Sequence, residues 1–580
     1  MPRRFLIAAV LAALLVSTAA AAGPSSVGGG QTLSIQNAQL MPGVGYQRQV
    51  EFTPRGPVIL NIVTAPRPDG SLYTLAPVLA QEKIPGGEPL TSIENRLAAS
   101  ATVVGVDGDY FNGKTGVPAG ILMRGGVLDK PPNPGRSSLG IAGDGTLSVA
   151  RVAWKGTWQG NGQRRPLDLD LAPVKGHSTL YTPAYGPVTP SEGGVVEVVF
   201  SSFPPLQANR PLTATVTQVT TVGGTSIPPG GAVLVARGVQ GPHLTAEAPV
   251  GQNVEVRLTL TPDWSGLASA IGGGPLLVSD GKPVFDAKEA FAASIVNNRY
   301  ARSAIGQLSD GRILLVTVEG GGPAYSLGMT SYELAVAMAR LGCVTAIGLG
   351  YGDAASMAFD GTLLTKPSGG AEKPIADALV LSYTGVYAAP PAVKILSPNG
   401  DGVNDMQTFT YKLVHPSHVV AAVTSPTGAI VTLADDDEQP GLHTLTWGGT
   451  NADGSAAAEG SWRFTVAATD DSGRTTSAVR DFSLDDTLGA LTAVHQPGSS
   501  TVTTTFALSR PATVTVTIER RNGIVVATLS KGSLPAGTQS LIWDGHTASG
   551  RVAPSNGYQV HVVAVSPVGT TSQTAPFTFP

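Results

Sequence analysis

Arg302–Met357 reads RSAIGQLSDGRILLVTVEGGGPAYSLGMTSYELAVAMARLGCVTAIGLGYGDAASM, and the order of the signals inside it decides the kind of fold. Ile313–Val318 is a short run rich in β-branched and apolar residues, which predicts a buried strand. Glu319 and the run Gly320–Gly322 stand at its exit. Thr330-x-x-Glu333 has the spacing of a capping box, and Leu334, Met338 and Leu341 follow at i, i+4 and i+7 on one helical face. Gly342 sits where a helix end takes a residue with positive φ. Val344–Leu349 is a second apolar run and leads into Gly350-Tyr351-Gly352-Asp353. A helix between two buried strands, with acidic groups and glycines at the strand exits, is where open α/β arrangements build their sites.

The same order of signals occurs earlier. Thr91-x-x-Glu94 has capping-box spacing, Ala101–Val106 is an apolar run, and Asp107-Gly108-Asp109-Tyr110-Phe111-Asn112 follows it. The repetition predicts that the two strands are interior neighbours and that their exits form one site. Between Val127 and Leu277 come short β-patterned runs, clearest at Val195–Phe200, Ala232–Ala236 and Val254–Leu260.

These elements resemble the phosphodiester glycosidase family. Its pattern runs R-x-A-I-G, D-G, a strand ending V-D-G, S-x-G-M-T-x-x-E-L-A, then L-G-A-x-x-A-L-N-L-D-G-G-G-S-S-x-M. Arg302, Ile305, Gly306, Asp310, Gly311, Ser326, Gly328, Met329, Thr330, Glu333, Leu334 and Ala335 match it in order. Gly108, Phe111, Pro118 and Gly120 fit an earlier family element, A-x-N-G-G/D-F-F then P-x-G, in which Asp107 replaces the asparagine. Two further elements depart from the pattern. The strand-end acid is Glu319, and the family's asparagine and aspartate fall on Gly348 and Gly350, which removes a carboxylate. The resemblance covers residues 37–387. It implies a mixed-sheet α+β domain of catalytic type that cleaves a sugar phosphodiester or a related cell-envelope glycan linkage. A chain whose catalysis ended with the altered element would instead be a glycan-binding or scaffold protein on the same fold.

The candidate catalytic residues are Asp107, Asp109, Glu319 and Asp353, carboxylates at strand exits suited to general acid and base work. The aspartates read equally as Asx-turn residues. Arg302 suits an anionic oxygen through its planar fork, or an ion pair with Glu319 or Asp310. Gly320 and Gly321 would let a substrate approach the backbone closely. Glu333 reads as the helix cap. His177 and His243 are the two histidines of the family-like region and neither sits in a nucleophile elbow. No helix pattern follows Gly272–Gly274, so a dinucleotide site is disfavoured.

Composition sets the frame. Of 580 residues, 37 are Lys or Arg and 41 Asp or Glu, a net charge of −4 that gives no electrostatic reason to expect nucleic acid. Residues 1–22 have the basic start, short apolar run and small-residue end of a secretory signal peptide, and residues 23–36 read as a leader. No later stretch is apolar enough to be an integral membrane segment of the mature chain, so secretion to the extracellular side is expected. Cys343 is the single cysteine, which leaves no disulfide framework and fits a bacterial secreted protein. It reads as a small buried hydrophobe.

Ala388–Val393, AAPPAV, is a proline linker. Two units repeat beyond it. Gly441–Trp447, Gly454, Gly460 and Trp462-x-Phe464-x-Val466 parallel Gly537–Trp543, Gly550, Gly557 and Tyr558-x-Val560-x-Val562. This spacing and strand pattern resemble the Ig-like domain named from a flagellar hook-cap protein, and predict two all-β Ig-like sandwiches over 394–485 and 486–580. Asn399, Asp401 and Asp405 offer oxygen ligands at alternate positions, as in the front of a calcium loop. Thr410 stands where an EF-hand has glutamate, and an N-G-D-G turn forms without metal.

Overall fold

The computed structural model describes residues 31–172, 174–284, 288–400, 402–496 and 499–579. The expected signal peptide, most of the leader and Asp401 lie outside the described residues. The chain divides into two compact units. One comprises Val44–Glu94 and Val104–Leu381 with the described residues up to Ala38; the other comprises Gln39–Gly43, Asn95–Val103 and the chain from Ser382 onward. Both are mostly β.

In the first unit, Val44–Thr53, Gly56–Ala65, Ile313–Val318, Arg302–Leu308, Cys343–Tyr351 and Leu276–Ser279 lie side by side in that order. All their pairings are antiparallel, with Val316 opposite Ile62 and Ile305 opposite Ile347. The helix Ser331–Arg340 covers one face of this sheet. Leu334, Ala335, Ala337 and Met338 pack there against Leu60, Ile62, Ala304, Leu314, Val316 and Cys343. Its N-terminus is closed as its spacing predicts: Thr330 Oγ1 accepts from Glu333 N at 3.1 Å, and Glu333 accepts from Thr330 N at 2.9 Å. Gly342 takes φ +91° beyond the last turn. Thr330→Ala is expected to cost about 1 kcal/mol, read by chemical denaturation.

The earlier capping-box spacing is used differently. The helix Leu90–Leu97 begins one residue before Thr91, whose N–H and hydroxyl donate to Glu372 at 3.0 and 2.7 Å. Glu94 turns inward and accepts from Gly361 N at 2.8 Å. The strand it leads into, Thr102–Asp107, joins a separate five-stranded sheet beside Met357–Phe359 and Asp377–Tyr383. The two apolar strands are therefore not sheet neighbours, contrary to what their matching signals predict. Most of the chain between them folds as β. Asn253–Thr261, Ala153–Gln159, Arg165–Leu169, Ser178–Tyr181, Ala232–Arg237 and Val195–Phe200 form part of an eight-stranded sheet. Their alternating side chains build a core around Trp158, Phe200, Leu234 and Leu258.

In the second unit two cores repeat one plan. Gln407–Leu413 and Gly441–Trp447 contribute Phe409, Tyr411 and Trp447, and the facing sheet contributes Val419, Trp462, Phe464 and Phe482. Val502–Leu508 and Gly537–Trp543 contribute Phe506 and Trp543 to the next core, opposite Val514, Tyr558 and Phe577. Both tryptophans are buried and both indoles donate three residues ahead, Trp447 to Thr450 O at 2.9 Å and Trp543 to His546 O at 2.7 Å. The proline segment is bonded along the first sandwich: Ala388 pairs with Tyr411, and Ala389 N donates to Thr410 O at 2.8 Å.

Candidate active site

The strand exits that the repeated pattern singled out do meet. Gly350 N–H donates to Gly108 O at 2.8 Å, although the two strands belong to different sheets. A cavity of about 930 Å³ opens there, lined by Asp109, Lys130, Arg136, Gly350, Asp353 and the rings of Tyr110, Tyr300 and Tyr351.

Asp107 lies directly behind Gly350. A Cβ added at Gly350 would come 2.2 Å from Asp107 Oδ2, so the carboxylate fills the space that a side chain at 350 would need. Asp107 Oδ1 accepts from Ser303 Oγ and from Ser356 N at 2.9 Å, while Oδ2 has no hydrogen-bond partner among the described residues. Burial pushes its carboxyl up to about 7, against the pull of those donors. Asp109 accepts from Tyr110 N at 2.7 Å and from Gly120 N. Burial raises it to about 6, restrained by the Gly120 N–H and by the charges of Lys130 and Arg136. Asp353, in the turn Gly352–Ala354, is exposed at the cavity rim.

The other expected site residues stand elsewhere. Glu319 is buried at the end of its strand, where it accepts from Asn61 Nδ2 at 2.8 Å and from the Tyr325 hydroxyl. It does not line the cavity. Arg302 is nearly buried and its donors go to backbone: Nε to Met329 O at 2.5 Å, Nη2 to Asn298 O at 3.0 Å and to Ile295 O. It pins the segment that carries Tyr300 rather than presenting a fork to solvent. The ion pair with Asp310 does not form either, since Asp310 holds Arg312 at 2.8 Å. A Cβ on Gly320 would meet Ala301 N at 3.0 Å, and Gly321 adopts φ +123°, so both glycines answer local backbone demands. Asp405 accepts from Gly400 N at 2.8 Å and Gly402 N at 2.7 Å, and Asn399 bonds Ser397 and the Leu488 carbonyl. The loop is thus closed by its own amides. Among the described residues no group of three or more His, Cys, Asp or Glu side chains is placed to hold a metal.

Three cavity residues were not among the site residues expected from the sequence. Lys130 ends the strand Val127–Lys130, buried, with Nζ donating to Gly120 O at 2.9 Å. Burial lowers its ammonium to about 8, opposed by Asp109 and Asp377. Arg136 rests its guanidinium 4.3 Å from the centre of the Phe291 ring and 5.0 Å from that of Tyr110, a cation–π seat. Tyr351 stands between Tyr110 and Tyr300 with centroids 5.5 and 5.4 Å away, giving the cavity an aromatic wall.

Cys343 is buried in the core beneath the helix, and burial pushes its thiol up to about 12. It is expected to be inert to a thiol reagent in the native protein and to react on unfolding, read by absorbance.

Residues 212–382 match the family model described as phosphodiester glycosidase, and residues 492–567 match that of the FlgD Ig-like domain. The chain thus joins a phosphodiester glycosidase-like region to a hook-cap-type Ig-like module. The matched stretches leave out the Asp107 element and the first of the two repeated units. Among individual proteins, the SPbeta prophage-derived uncharacterized protein YomE of Bacillus subtilis is 32% identical over 118 residues, 20% of this chain and 18% of that protein. The basal-body rod modification protein FlgD of Escherichia coli is 39% identical over 72 residues, 12% of this chain and 31% of that protein. The chain therefore spans less than a third of either curated relative. A hypothetical protein from Synechocystis shares the fold with a TM-score of 0.51 at 24% identity, over 60% of this chain and 64% of that one. No helix among the described residues is long and apolar enough to cross a membrane.

Proposed function

We propose that the first unit is a hydrolase of phosphodiester glycosidase type, acting on a sugar joined through a phosphodiester in a cell-envelope glycan. The observation that carries this reading is the placement of Asp109, Lys130 and Arg136 around one aromatic-walled cavity. A carboxyl raised toward neutrality is suited to general-base work. Asp109 takes a proton from water as the water oxygen bonds to the sugar carbon. The bond from that carbon to the phosphate oxygen breaks, and the phosphomonoester leaves as an anion beside Arg136 and Lys130. Tyr110, Tyr300 and Tyr351 offer faces against which a sugar ring packs. Arg136 takes the anion-holding role that the sequence assigned to Arg302.

The carboxylate missing from position 350 does not leave the site without one. Asp109 and Asp353 line the cavity, and Asp107, which does not line it, sets a buried carboxylate directly behind Gly350. Gly350→Ala is expected to cost about 1–3 kcal/mol by overpacking. The cost should shrink in an Asp107→Ala background, giving a coupling that a double-mutant cycle of denaturation midpoints reads directly. The domain limits read from the sequence, secretion through residues 1–22, and a role for the Ig-like modules in spacing the enzyme from a surface or holding it on glycan complete the proposal.

The test is hydrolysis of a sugar phosphodiester by the whole chain and by Arg136→Lys, which keeps the charge and loses the planar fork. The expected result is turnover by wild type and a raised KM for the variant. A wild type no faster than buffer across such substrates overturns the enzyme reading. The scaffold reading, favoured by glycine at 348 and 350, then takes its place if the same protein still binds the glycan.

A further inference from the structure

Asp377 carried no signal in the sequence, yet it organises the turn that bears Asp109. It starts the strand Asp377–Tyr383, next to Thr102–Asp107 in the five-stranded sheet. Its carbonyl accepts from Gly108 N at 3.0 Å, and its carboxylate Oδ1 accepts from Asp109 N at 2.7 Å. A Cβ at Gly108 would lie 2.2 Å from that oxygen, so glycine there is the condition of the contact. Asp377 is 1% exposed, and its Oδ2 has no hydrogen-bond partner among the described residues.

The groups facing it are Asp107 and Asp109 from one strand exit and Lys130 from the strand Val127–Lys130. Three buried carboxylates thus share one buried ammonium. With all ionised, Lys130 offsets one carboxylate and Arg136, beside Asp109, a second, which leaves a net negative charge and bare buried carboxylate oxygens on Asp107 and Asp377, the arrangement in which one acid keeps its proton.

We propose that Asp377 is a positioning residue that holds a proton against Asp109, fixing the turn by its hydrogen bond and leaving Asp109 as the ionised member of the pair. The hydrogen bond stands on geometry, and the proton placement is argued from the bare Oδ2 of Asp377 in a cluster of three buried carboxylates, with both oxygens of Asp109 taken by backbone N–H groups; the catalytic consequence rests on the hydrolase reading above. Burial first, then the charge of Asp109, pushes the Asp377 carboxyl up to about 8.

The native state keeps a proton on Asp377 at pH values where the unfolded chain has lost it. Stability therefore falls as pH rises from the usual carboxylate value toward about 8. Asp377→Asn is neutral at every pH and still offers an oxygen to the Asp109 N–H. The melting temperature of Asp377→Asn minus that of wild type, followed from pH 5 to pH 9, is expected to grow up to about pH 8 and then level off. A difference that stays constant with pH overturns the proton placement. Asp377→Ser serves if the asparagine variant does not fold, with the same growing difference expected.

In hydrolysis, kcat/KM of wild type should fall on the alkaline side as Asp377 ionises, and this limb should be absent in Asp377→Asn. A limb that survives in Asp377→Asn and moves in Lys130→Arg assigns it to the lysine and overturns the catalytic part. A wild type without turnover whose melting difference still grows with pH keeps the proton on Asp377 and rejects the hydrolase.

Discussion

Asp109→Asn is expected to lower turnover of a sugar phosphodiester by about 10²-fold or more, because a positioned general base contributes on that scale. The substitution keeps one side-chain oxygen for Tyr110 N and loses the acceptor for Gly120 N, so some stability is lost with the charge. A comparable loss through misfolding is distinguished by reading turnover per folded molecule at a temperature well below the variant's melting temperature. The pH dependence gives an independent check. Asp109 works as a base only when ionised, and its carboxyl is raised to about 6. The rate of wild type should therefore fall as pH drops through about 6, well above the usual carboxylate range. Turnover by Asp109→Asn equal to wild type, with folding intact, would remove Asp109 from the mechanism and leave Asp353 as the carboxylate at the cavity rim.

The largest expected change in stability lies in the second unit. Trp543 is 1% exposed and packs with Tyr558 at 5.7 Å and Phe579 at 4.9 Å between ring centres. Trp543→Ala removes the largest aromatic side chain of its core and is expected to cost about 3–5 kcal/mol. That is a large part of the stability of a domain, about 5–15 kcal/mol. Trp447→Ala should cost a similar amount in the preceding sandwich, where Trp462 lies 4.6 Å from it. Chemical denaturation followed by near-ultraviolet circular dichroism reads both. A loss below about 1 kcal/mol in either would show that the indole is not the centre of its core.

The elements themselves were legible from local chemistry. Ile313–Val318 is a strand with the bounds its apolar run predicts, and Thr330 with Glu333 closes the helix that follows. The repeated spacing around Trp447 and Trp543 marked two equivalent cores because an indole burial, a turn and an alternating strand all leave periodic traces. Capping, by contrast, is ambiguous where a distant acid competes. Thr91 carries the capping spacing, but Glu372, 281 residues away in sequence, takes its N–H and hydroxyl.

Sequence alone determined that acidic, glycine-rich exits follow two buried strands, because strand burial and turn chemistry are set by neighbouring residues. Only the tertiary structure decided which acids share a site. Glu319 is taken up by Asn61 and Tyr325, and Arg302 by three backbone carbonyls, so neither faces the cavity that Asp109 lines. Lys130, Arg136 and Asp377 reach Asp109 from other strands and loops, and nothing in the residues beside them announces it. The physical reason is that desolvation and charge pairing act through space. A carboxylate becomes an acid, a base or a cap according to what is packed against it, and the chain fixes that only by folding.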